Sequence, residues 1–135
     1  MPFEVFDKRA AKASKSPLVT IQRGGHFSLN KAAFEEMGKP ETVELLFDRE
    51  KRLVGFRPVD ATNPRGFPVR PQGRSAPTTF MVAGQAFAKH YELDASIARR
   101  YGVKMEDGIL ILDLNSESID VTGPRSAMKS RLAGQ

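Results

Sequence analysis

The sequence predicts an α+β chain: two tandem β-α-β-β units packed as a small, β-rich, pseudo-two-fold domain with short helices. Three observations carry this. Alternating runs rich in β-branched and aromatic residues recur between turn signals. The helix-like stretches between them are only a few residues long. The order strand, short helix, strand, tight turn, strand occurs twice. The boundaries that follow are a basic flexible arm (1–17), a first unit (18–58), a Pro/Arg-rich linker (59–77), a second unit (78–114) and a flexible tail (115–135).

The arm is rich in Lys and Ala and has no apolar stripe after Phe6. "LVTIQR" (18–23) alternates and is β-branched, so it reads as a strand, and Gly24-Gly25 as a turn. "HFSLN" is a second strand with Phe27 and Leu29 on one face. Asn30 suits the N-cap of a helix over 31–37, because its side-chain oxygen can accept a free first-turn amide. Gly38 falls where a left-handed C-cap is wanted. "TVELLFD" and "LVGFRP" are strands joined through the charged turn at 49–52.

Residues 57–77 hold five of the nine prolines, a density that prevents a helix and confines sheet pairing to edges. They read as an extended linker, with a short edge strand at 67–70. "TTFMVA" (78–83) is a strand and 85–91 a helix. "SIARRYGVKM" and "ILILDL" are strands, with Asp107-Gly108 between them as the strongest local hairpin signal in the chain. The tail from Asn115, with few apolar residues, has little to bury.

A shift of 53 residues superposes Phe27 on Phe80, Leu29 on Val82, Ala33 on Ala86 and Phe34 on Phe87. After three more residues, "LVGF" at 53–56 matches "ILIL" at 109–112. One unit of roughly 40 residues buries too little surface to stand alone, whereas two can share a core.

Composition removes several functions. The 135 residues contain no Cys, which excludes disulfides, thiol catalysis and cysteine-ligated zinc. No apolar run is long enough for a signal peptide or a membrane span, so a cytoplasmic protein without membrane contact is expected. The net charge of +5 is unevenly placed. Residues 1–25 carry five basic against two acidic side chains, and residues 57–74 carry four arginines against Asp60, while both patterned units are near −1. Cations gathered at the arm and linker point to a polyanionic partner, nucleic acid with DNA favoured. The alternative assigns them to solubility.

"FSLNKAAFEEMGKPETVELLFDREKRLVGFRP" (27–58) resembles the swapped-hairpin module of the AbrB/SpoVT family of bacterial transition-state regulators and antitoxins. The matching residues are Leu29 at the strand end, Met37-Gly38 closing the helix, Lys39-Pro40 after it, and Arg57-Pro58 at the end. Asn30 stands where the family usually has Pro, and Phe34 where it usually has an exposed basic residue. The resemblance implies two modules exchanging hairpins to form one barrel, with basic residues of the first strands on DNA phosphates. Carried over, Arg23 and Lys31 would be such contacts, and the repeat would supply both modules from one chain.

No catalytic constellation is legible, and no cofactor or metal site is expected. His26 and His90 lack ligand spacing, and Glu35-Glu36 and Glu106-Asp107 read as solvated charges. In a strand Arg99 and Tyr101 share one face while Arg100 points to the other, so an Arg beside an aromatic could contact phosphate and stack on a base. A salt bridge to Glu44 or Asp113 is the structural alternative. The nucleic-acid-binding set is therefore Lys8, Arg9, Lys12, Lys15, Arg23 and Lys31, the linker residues Arg57, Arg65, Arg70 and Arg74, and Arg99, Arg100 and Tyr101. A non-enzymatic nucleic-acid-binding protein is the first expectation. A protein-interaction or scaffold module with self-pairing or partner-pairing β edges is the second, which leaves homodimers and protein partners open.

Overall fold

The computed structural model describes residues 16–73 and 76–121. Strands dominate it: β1 (Leu18–Ile21), β2 (Phe27–Asn30), β3 (Thr42–Asp48), β4 (Leu53–Pro58), β5 (Phe67–Gln72), β6 (Thr79–Val82), β7 (Arg99–Glu106), β8 (Ile109–Asp113) and β9 (Ser118–Asp120). Two six-residue helices interrupt them, α1 (Lys31–Glu36) and α2 (Gln85–His90). The local signals explain these ends. The Asn30 side chain accepts from the Ala33 amide at 2.9 Å, and Gly38 adopts φ +83° just past α1. Asp107 (φ 51°) and Gly108 (φ 78°) supply the two left-handed residues of the β7–β8 turn, with Glu106 opposite Ile109.

Every pairing is antiparallel, and the order β1-β2-β6-β5-β3-β4-β8-β7 returns to β1. The result is a closed eight-stranded barrel, with β9 added beside the first half of β7. This corrects the predicted α+β architecture of two β-α-β-β units. The units are not separate packing bodies, because each hairpin sits among strands of the other half. β3–β4 lies between β5 and β8, and β7–β8 lies between β4 and β1. Closure satisfies edges that two small separate sheets would leave open.

The predicted linker is corrected in the same way. β5 is a full stave, pairing with β3 through Phe67 and Pro68 and with β6 from Val69 to Gln72. Its prolines are tolerated for a geometric reason. The Val69 amide donates to Glu41 on the β3 side, so alternation aims the nitrogens of Pro68 and Pro71 where no strand runs alongside. Part of the predicted tail also joins the sheet, as β9.

Inward positions fill the barrel, as a small closed sheet requires. Val19, Phe27, Leu29, Val43, Val54, Phe56, Val82, Leu110 and Leu112 are fully buried. Phe27 is central, edge-on to Phe56 at 5.1 Å and to Phe87 at 6.1 Å. Because β2 and β6 run antiparallel, the helices that follow them close opposite ends. α1 contributes Ala33, and its Phe34 stacks on Phe80 at 3.8 Å; α2 contributes Phe87 and Ala88. No helix among the described residues is long and apolar enough to cross a membrane.

Candidate nucleic-acid interface

Alternation along closed strands gives every second side chain to the outside. Across β5-β6-β2-β1-β7 the register aligns one outward row: Arg70, Met81, Ser28, Thr20 and Arg100. The rows on either side hold Gln72, Thr79, Asn30, Leu18 and Gly102, and Pro68, His26 and Gln22. Among these outward positions none is Asp or Glu; the acids around them are Glu117 and Asp120 at β9, Asp94 in the loop against the β1–β2 turn, and Glu35 and Glu36 on α1. Arg70 and Arg100 stand four strand spacings apart, roughly 19 Å along the surface.

The polar side chains of this face are already organised. Arg100 Nε donates to Thr20 Oγ1 at 3.4 Å, holding the guanidinium over a buried threonine. Gln22 Nε2 donates to Ser28 Oγ at 3.0 Å. Asn30 uses its whole amide: Oδ1 accepts from the Leu18 and Ala33 amides, both at 2.9 Å, and Nδ2 donates to the Ser16 carbonyl at 3.0 Å. At one end of the face the exposed Arg23 lies in the β1–β2 turn, pinned where the Gly24 amide donates to the Ala95 carbonyl at 3.2 Å. A Cβ on Gly25 would stand 2.7 Å from that of Ala88, so this turn can lie against α2 only without one. At the other end the exposed Lys31 opens α1. Arg23 and Lys31 thus stand at the two ends of a curved five-stave surface, with Arg70 and Arg100 at its two sides.

The remaining predicted residues do not join it. Arg57 is on β4, where its Nε donates to Glu44 Oε1 at 3.0 Å across the β3–β4 pair, on a different outer face. Arg65 is exposed in the loop at 59–66. Arg99 is half-buried at the barrel end, donating from Nη1 to Ser118 Oγ at 3.2 Å rather than bridging to Glu44 or Asp113. Tyr101 is 7% exposed and belongs to the core, so its ring is no stacking platform. Alternation does set Arg100 opposite Arg99 and Tyr101, but the face that Tyr101 occupies is the inner one. Lys8, Arg9, Lys12, Lys15 and Arg74 lie outside the described residues.

Sequence reasoning passes over the uncharged members of the face, Thr20, Gln22, His26, Ser28 and Met81. Their signal is present all the same: in "LVTIQ" and "HFSLN" the positions between apolar residues hold polar, mostly uncharged side chains. His90 is exposed at the end of α2, its ring 4.7 Å from that of Tyr91. Glu35, Glu36, Glu106 and Asp107 are all exposed, and among the described residues no three His, Asp or Glu side chains converge to hold a metal. No family model matches this chain, and no curated protein or solved structure matches it.

Proposed function

We propose that the protein binds nucleic acid, DNA in the first instance, by contacting backbone phosphates from the outer face of β5-β6-β2-β1-β7. The observation that carries this reading is that Arg70 and Arg100 bound a run of staves whose other outward strand positions hold no carboxylate. A nucleic-acid backbone lying across these staves meets Arg70 and Arg100 at separate phosphates, with hydroxyls and amides on the strands between them. Arg23 and Lys31 extend the positive field at its ends. The interleaved hairpins support the same reading, since hairpin exchange is what the AbrB/SpoVT resemblance implies. Among the described residues both helices have only six residues and close the barrel ends, so the contacts proposed for this surface are to the phosphate backbone and tolerant of sequence.

The test is fluorescence anisotropy on labelled duplex and single-stranded DNA across a salt series. Affinity should fall steeply with salt. Arg70→Ser with Arg100→Ser should flatten the log–log slope by about 1.8, at roughly 0.9 for each phosphate no longer neutralised. Arg57→Ser, on the other face and already paired with Glu44, should leave the slope unchanged. If the double variant keeps both the affinity and the slope of the parent while remaining folded, the proposal fails.

A further inference from the structure

The middle stave of the curved surface is β2, with β5 and β7 each two strand spacings away. A nucleic-acid backbone joining Arg70 to Arg100 therefore crosses β2 roughly 10 Å from either stave. Three side chains point outward there, His26, Ser28 and Asn30, because Phe27 and Leu29 between them are fully buried in the barrel. Two of the three are already engaged. Asn30 uses its whole amide on the Leu18 and Ala33 amides and the Ser16 carbonyl, and Ser28 accepts from the Gln22 side chain. His26 stands one row from Ser28, about 7 Å along the strand.

His26 is half-buried, and its carbonyl accepts the Gln22 amide at 2.8 Å. Among the described residues its imidazole takes part in no hydrogen bond, ion pair or ring contact. The elements around it contribute both charged and uncharged groups. Gln22 and the exposed Arg23 come from β1 and its turn, Met81 and Ala83 from β6 and the residue after it, and Pro68 and Arg70 from β5. The turn rests on α2 at Gln85 and Ala88, and that helix with the loop after it adds Lys89, His90, Glu92 and Asp94. Asp94 Oδ1 already accepts from the Ser96 amide at 3.1 Å and hydroxyl at 2.6 Å, and neither acid is bonded to His26. The midline thus holds one polar side chain with its donor uncommitted.

We infer, on the proposed phosphate-binding reading, that His26 is the central phosphate contact of this face and that its protonation sets how tightly the face holds nucleic acid. A neutral imidazole offers one N–H, whereas the imidazolium offers two and a full charge. Imidazole is the side chain that ordinarily gains this charge between about pH 8 and pH 5. A charge-assisted hydrogen bond to a phosphate oxygen is roughly twice as strong as a neutral one. Arg70 and Arg100 stay charged throughout, so they hold the backbone at every pH and His26 grades the grip between them.

The experiment titrates the full chain into labelled single-stranded and duplex DNA probes of mixed sequence, at constant ionic strength, at about pH 8 and about pH 5.8. Affinity should rise roughly three- to tenfold on acidification, and the log–log salt slope should steepen by up to about 0.9. His26→Gln should remove both changes and bind at either pH as the parent does at the higher one. His26→Lys, charged throughout, should bind at either pH as the parent does at the lower one. His90→Gln, which removes the chain's only other histidine, should keep the full pH response. Circular dichroism at both pH values establishes that each variant is folded. A parent that binds with steep salt dependence, loses it in the Arg70→Ser, Arg100→Ser double variant and yet shows no pH response overturns the role of His26 and leaves the phosphate-binding face standing. A pH response that survives in His26→Gln overturns it equally. A parent that binds neither probe at either pH removes both readings together.

Discussion

Gly84 is the sharpest place to test the packing. It precedes α2 with φ −96°, a conformation open to any residue, so its role is steric and not conformational. A Cβ there would stand 2.7 Å from Phe27 Cδ2, nearer still to Cε2, and 3.4 Å from Leu45 Cδ1. The Phe27 ring would have to retreat by about 1 Å to reach an ordinary carbon–carbon separation. It has no room, being fully buried with Phe56 and Phe87 edge-on around it. Gly84→Ala should therefore cost about 1–3 kcal/mol by overpacking, where an unhindered Gly→Ala change would gain roughly 0.4–1 kcal/mol. With about 4 °C per kcal/mol for a domain of this size, Tm should drop by roughly 4–12 °C.

A double-mutant cycle isolates the cause. Phe27→Leu alone should cost about 1–2 kcal/mol through its smaller volume. Combined with Gly84→Ala, the shorter side chain vacates the space that the methyl needs. The pair should then be more stable than the sum of the single costs by about 1 kcal/mol or more. Any capping penalty of alanine at this position appears in both backgrounds and cancels. Urea titration followed by far-UV circular dichroism reads the midpoint, and an unchanged m-value keeps the comparison two-state. A neutral or stabilising Gly84→Ala, or strict additivity in the cycle, would refute this steric explanation.

Three further outcomes follow from the geometry. Asn30→Ala strips two amides of their acceptor and should cost about 2–3 kcal/mol by chemical denaturation, while Asn30→Asp, which keeps the acceptor, should cost less. Tyr101→Ala should lower stability by about 3–5 kcal/mol, whereas Tyr101→Phe should bind DNA with unchanged affinity and salt slope, read by denaturation and anisotropy. The Asp94 carboxyl is held below the ordinary aspartate range first by the Ser96 hydroxyl, then by the Ser96 amide and by Arg99; Asp60 is lowered first by the Thr62 amide, then by the Thr62 hydroxyl. A lowered folded pKa gives stabilisation present above the unfolded aspartate range and lost as pH falls through the folded value. Carboxyl carbon NMR should show both residues titrating below their free-peptide values, and Ser96→Ala should raise Asp94.

Most elements are legible in the sequence, because each carries its own local chemistry. Asn30 announces α1, Asp107-Gly108 announces a hairpin, and "TVELLFD" and "LVGFRP" alternate as strands do. Closure is not legible, since nothing within β1 or β7 says that Val19 will face Tyr101 across most of the chain. The prolines of β5 disguise it as a linker, and their tolerance depends on which neighbours end early, a property of the assembled sheet. The site is legible in part. Alternation separates Arg100 from Arg99 and Tyr101, but which side of β7 faces the core is decided by the strands beside it.

The ring closes through Leu18 and Gly102, and that seam governs how the chain can be made. During synthesis β1 leaves the ribosome long before its second neighbour exists, so its outer backbone groups stay hydrated until β7 emerges. Loop-closure entropy must be met before this last ladder returns anything, which places folding among the slower, high-contact-order cases. A nascent chain stopped short of β7 lacks the stave that closes the ring, so the β1 seam can be sealed only after residue 102 has been made.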